Sequence, residues 1–208
     1  MRATPSDTRS RLLSAALKHF ARRGYAGTSV QDIVTSAGVT KPVLYYHFGS
    51  KTGLFKALVD SALDERLRLM REAAARGGTT AARLEEILAS VFEHSRCNAD
   101  LMRLAFATAF ASRDELPKEV RSLCKGRRNF EFICDLIAAG QRAGELRRDC
   151  DRERLAFGIY GQLTTYIMVH LLMPNSSLDR RTARQIVHLF LEGAARRRSN
   201  RSAPSPAN

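Results

Sequence analysis

Little in this chain suits a metal-stapled, disulfide-bonded or membrane-spanning protein. There are only four cysteines in 208 residues, Cys97, Cys124, Cys134 and Cys150. No two of them form a CxxC pair, and no histidine cluster sits at zinc spacing, which speaks against a structural zinc and a disulfide scaffold. A reduced, cytoplasmic compartment is the one expected. No apolar run approaches the ~18–20 residues that cross a bilayer. The start, MRATPSDTRSR, leads into a short amphipathic pattern rather than an apolar signal core, so neither a membrane partner nor secretion is expected. The five histidines, His19, His47, His94, His170 and His188, are scattered. GxSxG, HExxH and a phosphate-cradling glycine loop are all missing, so no enzymatic activity and no cofactor are expected. Strand-type alternation is absent too, and β-branched runs are rare. Nearly every segment reads as helix, which gives an all-α fold class.

Charge of one sign is in excess. Thirty-four Lys and Arg stand against 21 Asp and Glu, a net of +13. Such a balance points to a polyanion, nucleic acid or an acidic membrane surface, and by itself does not choose between them. The excess is uneven. Residues 1–51 carry eight basic and two acidic groups, a net of +6, and the remaining 157 carry 26 basic and 19 acidic, a net of +7.

Within that basic quarter, breakers and caps mark three short helices. The first runs from about Asp7 to Arg23, with Leu13, Ala16, Leu17 and Phe20 on one stripe. Gly24 ends it. Thr28 or Ser29 caps the second, whose stripe is Val30, Ile33, Val34 and Ala37. Gly38 breaks the chain where a tight turn needs a left-handed residue. Thr40 caps the third, Pro42 sits in its first turn, and Leu44 and Phe48 face inward over about Lys41 to Phe48. Gly49 closes it, and Ser50 caps a long fourth helix reaching about Arg76. Two short helices joined by a glycine turn have the layout of a helix-turn-helix, whose second helix enters the major groove. The outer face of that helix is Lys41, Val43, Tyr45, Tyr46 and His47, with Lys51 one turn later, and these residue types suit phosphate oxygens and base edges.

The stretch from Arg9 to about Asp60 resembles the TetR family of bacterial transcriptional regulators. The phrases FARRGYAGTSVQDI, AGV, LYYHFGSK and LFKAL carry the resemblance, over about a quarter of the chain. It implies an N-terminal helix-turn-helix domain (residues 1–51), a helical ligand-binding and dimerisation domain (52–198) and, by composition, a disordered tail (199–208). It also implies roles. Thr28 and Ser29 offer donors to a phosphate, and Gln31 touches backbone or a base edge. Thr40, Lys41, Pro42 and Val43 form the groove-entering turn, with Lys41 on a guanine edge and Val43 on a thymine methyl. Tyr45, Tyr46, His47 and Lys51 grip phosphates.

Beyond Thr79 the pattern predicts five more helices: Thr80–Cys97, Asp100–Ser112, Pro117–Ala143, Asp151–Met173 and Asp179–Arg198. The phrase AGELRRD, Ala143 to Asp149, resembles the family's link into its penultimate helix. That helix is apolar nearly all round, so a second subunit is expected to cover one face, with Gly158 and Gly161 permitting close approach. Candidates for lining an effector pocket are Phe92, Arg96, Met102, Phe106, Phe110, Asn129, Ile133, Gln162, Thr165, Tyr166 and His170, each with ordinary core packing as its alternative. Cys124 and Cys134 read as structural thiols rather than oxidant sensors. The expected protein is a sequence-specific DNA-binding regulator, in the family's usual mode a repressor released from a pseudo-palindromic operator by a small-molecule effector. A nonspecific architectural DNA binder is the alternative.

Overall fold

The computed structural model describes residues 5–111, 116 and 125–194. Nine helices and no strands occur among them: α1 (Pro5–Arg23), α2 (Val30–Ala37), α3 (Lys41–Phe48), α4 (Lys51–Ala74), α5 (Thr80–Cys97), α6 (Ala99–Phe110), α7 (Lys125–Arg142), α8 (Arg152–Leu172) and α9 (Arg180–Ala194). Pro117, Cys124, the Arg196–Arg198 run and the expected tail lie outside the described residues.

Local chemistry accounts for the helix ends. Ser29 caps α2 in a full capping box: its Oγ accepts from Asp32 N–H, while Asp32 Oδ2 accepts from the Ser29 N–H at 3.1 Å. The Ser29 bonds hold the Asp32 carboxyl below its ordinary range. Gly38 ends α2 at φ 62°, a left-handed value that costs glycine nothing. A side chain there would also meet the Arg11 guanidinium, 2.9 Å away. Ser50 Oγ accepts from Gly53 N–H at 2.9 Å to start α4, and Asp151 Oδ1 accepts from Glu153 and Arg154 N–H to start α8.

Two apolar cores result. The first is built by Leu12, Ala16 and Phe20 of α1, Ile33 and Val34 of α2, Leu44 of α3, and Leu54, Phe55, Leu58 and Val59 of α4. Leu104 of α6 belongs to it as well, because α1 packs across α6. The second gathers Met70 and Ala73 of α4 with Leu84, Ile87, Leu88, Val91 and Phe92 of α5, Ile133 and Ile137 of α7, Ile159 and Leu163 of α8, and Ile186 and Val187 of α9. Helix α4 is therefore shared: its first half closes one core and its second half closes the other.

The α5–α9 contact is latched by charge. Glu86 receives both Arg180 and, at 3.1 Å, Arg76, whose Nη2 also donates to Ser90 Oγ at 2.8 Å. The Arg180 bond, helped by Arg76, holds the Glu86 carboxyl below the usual carboxylate range. A depressed folded-state pKa adds stability that is full above the unfolded-state value, ~4.3, and is lost as pH falls through the folded value. The melting temperature of the native chain is thus expected to exceed that of Glu86→Gln near neutral pH, with the gap closing under acid. A pH-independent gap in parallel melts would assign the difference to packing.

Helix α8 corrects one expectation. It is long and apolar enough, by length and composition, to cross a membrane, although no apolar run was expected to be. Glycine, threonine and glutamine interrupt its apolar residues, which hides the helix from a search for an unbroken run. Its buried side is Leu155, Ala156, Ile159, Leu163 and Ile167. On the other side Phe157 is 63% exposed, and Gly158, Gly161 and Leu172 are exposed too. Gly158 approaches Phe190 of α9 in the same chain, whereas a side chain at Gly161 would meet nothing within 4 Å. Leu189 of α9 is 62% exposed.

Candidate nucleic-acid interface

Helix α3 spends only Leu44 fully on the core, leaving its outer edge to solvent. Lys41, Pro42 and Thr40 are exposed, Tyr45 is 47% exposed and Tyr46 86%. Thr40 occupies the cap position without a side-chain cap bond, so its hydroxyl is not spent on the helix. Val43 and His47 are half-buried, Val43 against the first core and His47 edge-on to the Tyr46 ring at 5.3 Å. Gln31 is exposed on α2, with Nε2 donating to Thr35 Oγ1 at 3.1 Å.

Three expected contacts have other employment. Thr28 is buried, and its hydroxyl donates to the Gly24 carbonyl at 2.8 Å, closing the α1–α2 turn instead of facing a phosphate. The Ser29 hydroxyl and N–H both donate to Asp32 in the capping box. The N–H groups left at the start of α2 are those of Val30 and Gln31, since the first turn of a helix has no carbonyls upstream to receive them. Lys51 is half-buried, its ammonium 4.3 Å from the centre of the Tyr25 ring, and burial lowers its pKa. Tyr25 in turn shares a 2.8 Å hydrogen bond with Thr52.

Sequence reasoning missed the residues that aim this edge. Arg11 Nη2 donates to the Ala37 carbonyl at 2.6 Å and lies 3.4 Å from that of Gly38, pinning the α2–α3 turn to α1. His19 Nε2 meets Ser36 Oγ at 2.7 Å, and the Arg9 guanidinium sits over the Phe48 ring. Part of the basic charge counted for DNA thus serves the fold. The carbonyls that end α2 need donors, but nothing local in the sequence marks Arg11 as the one that supplies them.

The expected pocket residues divide. Phe92, Met102, Asn129 and Ile133 are buried in the second unit, Phe106 packs against its core, and Gln162 is half-buried. Arg96 is exposed and paired with Glu93 at 3.0 Å, because it falls on the outward side of α5. Phe110 is 77% exposed, one turn beyond Phe106 with its ring parallel to it. Thr165 and Tyr166 are exposed on α8, though the Tyr166 ring still reaches Phe92 at 6.4 Å. His170 Nδ1 donates to the Ser176 carbonyl at 2.8 Å and closes the α8–α9 turn. Cys134 is buried and burial raises its thiol pKa, as for a structural thiol.

Residues 12–58 match the family model described as "Bacterial regulatory proteins, tetR family". The chain is 31% identical over 199 residues to the HTH-type transcriptional repressor KstR2 of Rhodococcus jostii, covering 91% of this chain and 92% of that one. It is 27% identical over 176 residues to the HTH-type transcriptional regulator TtgR of Pseudomonas putida, covering 82% and 83%. In fold it is similar to the fatty acid degradation regulator FadR of Bacillus halodurans, with a TM-score of 0.78 at 18% identity over 88% of this chain and 98% of the other. With an exposed helix-turn-helix edge and a relative of this identity along nearly its whole length, the chain belongs to the TetR family of bacterial regulatory proteins and is a DNA-binding transcriptional regulator.

Proposed function

We propose that two copies of this chain, joined through α8 and α9, bind a pseudo-palindromic DNA operator in the cytoplasm as a repressor and leave it when a small-molecule effector occupies the second unit. Residues 1–51 serve as the DNA-reading domain, completed by the first turns of α4, and residues 52–198 as the effector and dimerisation domain. The observation that carries this reading is the outer edge of α3, open to solvent on a head of net charge +6. Lys41 reaches a guanine edge and the exposed part of Val43 a thymine methyl. Thr40 enters the groove with them, Tyr45, Tyr46 and His47 hold phosphates, and the start of α2 with Gln31 holds another. Two such edges read half-sites about 34–36 Å apart or a multiple of that.

The effector acts only through differential affinity; driving a 1:99 equilibrium to 99:1 takes about 5.5 kcal/mol. Helix α4, shared between the cores, is the element that passes a change in the second unit to the spacing of the two α3 helices.

The experiment is fluorescence anisotropy with the DNA upstream of the protein's own coding region, in graded salt. Binding is expected to be sequence-selective and to weaken steeply with salt. Lys41→Ala combined with Tyr46→Ala is expected to weaken it about 100-fold, given ~1–3 kcal/mol per base-edge or charged contact, while the melting curve stays in place. Equal affinity for random DNA would instead indicate an architectural binder.

A further inference from the structure

Among the described residues, the second unit contains buried hydrogen-bonding atoms without a partner. Arg66 of α4 has Nε and Nη2 buried without a partner. Asn129 of α7 is buried with both amide atoms unmatched. His94 of α5 has Nε2 buried and unmatched, while its Nδ1 lies 3.4 Å from the Asn98 amide. Buried polar atoms are nearly always paired, and each one left alone costs about 1–3 kcal/mol, more when charged. A guanidinium cannot escape that cost by losing its proton.

These groups lie on α4, α7 and α5, and α4 packs against both of the others. The Arg128–Asp64 ion pair, at 3.3 Å, holds together the stretches of α4 and α7 that carry Arg66 and Asn129. Burial lowers the His94 pKa, and the Arg66 and Arg68 charges lower it further against the opposing pull of Glu65. The two acids that precede Arg66 in the chain pair with other cations, Asp64 with Arg128 and Glu65 with Arg68 at 2.6 Å. What Arg66 does touch is aromatic: its guanidinium lies over the Tyr160 ring at 5.3 Å, and Tyr160 packs edge-on against Phe130 at 5.8 Å. A cation seated on an aromatic wall, with an unmatched amide and an unmatched imidazole nitrogen on the helices packed against its own, is complementary to a negative head on an apolar body.

We propose that Arg66, with Asn129 and His94, is the head-group site for an anionic, amphipathic effector whose apolar part packs along Tyr160 and Phe130. This rests on the effector reading above and adds its chemical class: a carboxylate or a phosphate on a hydrophobic body. Arg66 supplies the selectivity for charge. Asn129 supplies hydrogen bonds that a simple apolar cavity would not need.

Two dyes with the same aromatic body provide the test on the full chain. Anilinonaphthalene sulfonate carries an anion, and N-phenyl-1-naphthylamine is its neutral counterpart. The native chain is expected to bind the sulfonate saturably, one per chain, at least about tenfold more tightly than the neutral dye, a difference of 1.4 kcal/mol. Arg66→Gln should abolish that preference while leaving the neutral dye unaffected, and Arg66→Lys should restore part of it. Asn129→Leu should weaken the sulfonate yet raise the melting temperature of the unliganded chain, because an apolar group replaces an unmatched amide. Equal binding of the two dyes by the native chain, a preference that survives Arg66→Gln, or a lower melting temperature for Asn129→Leu would each overturn the proposal.

Displacement of the bound dye then distinguishes the heads. A stronger effect of dodecanoate assigns a carboxylate and a stronger effect of dodecyl phosphate assigns a phosphate, whereas dodecanol displacing as well as either counts against an anion site. DNA binding measured on the same samples separates the two readings. Selective DNA binding without dye discrimination defeats the anion site alone, and dye discrimination without selective DNA binding defeats the regulator mechanism alone.

Discussion

A chain carrying Gly161→Glu and Leu189→Glu is expected to sediment as a monomer and to lose about 10²–10⁴-fold in operator affinity, the gain that linking two binding sites ordinarily supplies. Neither change should disturb the chain's own fold. A side chain at Gly161 meets nothing within 4 Å, and Leu189 is already 62% exposed. Gly161 lies on α8, which also leaves Phe157 and Leu172 facing solvent, and Leu189 on α9; an exposed apolar surface of this kind marks an association face. In a twofold contact each substitution occurs twice, so four carboxylates would have to be desolvated, at an effective cost of several kcal/mol per ion. Analytical ultracentrifugation and anisotropy on the same preparation check both halves. A doubly substituted chain that still sediments as a dimer would place the interface elsewhere.

Phe55→Ala is expected to cost about 3–5 kcal/mol of folding free energy, the range for emptying a buried aromatic site. Phe55 is fully enclosed, edge-on to Phe20 at 4.9 Å and to Tyr25 at 5.2 Å. Tyr25 carries both the Thr52 hydrogen bond and the Lys51 ammonium, so the loss would also loosen the start of α4 from α1. For a chain of this size each kcal/mol lowers the melting temperature by roughly 2–4 °C, and the expected fall is therefore roughly 6–20 °C. A urea titration showing a loss below about 1 kcal/mol would mean that the aromatic trio collapses to fill the gap.

How much of this could be read beforehand depends on the range of the interaction. Ser29, Gly38 and Ser50 act within a few residues, so caps and turns place the first helices closely. Periodicity likewise picks out Ile33, Val34 and Ala37, because a buried stripe repeats along one helix. What periodicity lacks is the identity of the partner. Arg96 and Arg66 are the same residue type on amphipathic helices, yet one is exposed and pairs with Glu93 while the other is half-buried over the Tyr160 ring. Thr28 and Ser29 are adjacent and equally suited to capping, and only the return of the chain past Gly24 decides which turns inward. Contacts such as Arg11 with Ala37 or Arg128 with Asp64 join distant segments and leave no local mark.

The membership of Leu104 in the N-terminal core has a consequence for modularity. Phe55 and Leu58 lie past residue 51, and Leu104 comes from a helix well beyond them, so no single cut through the backbone separates a complete reading head from the rest. A fragment ending at Lys51 would expose the undersides of α1 and α3 to water. A hybrid that grafts this head onto another regulator must bring matching residues on the recipient's sixth helix, or it will assemble with a hole where two proteins of different ancestry meet.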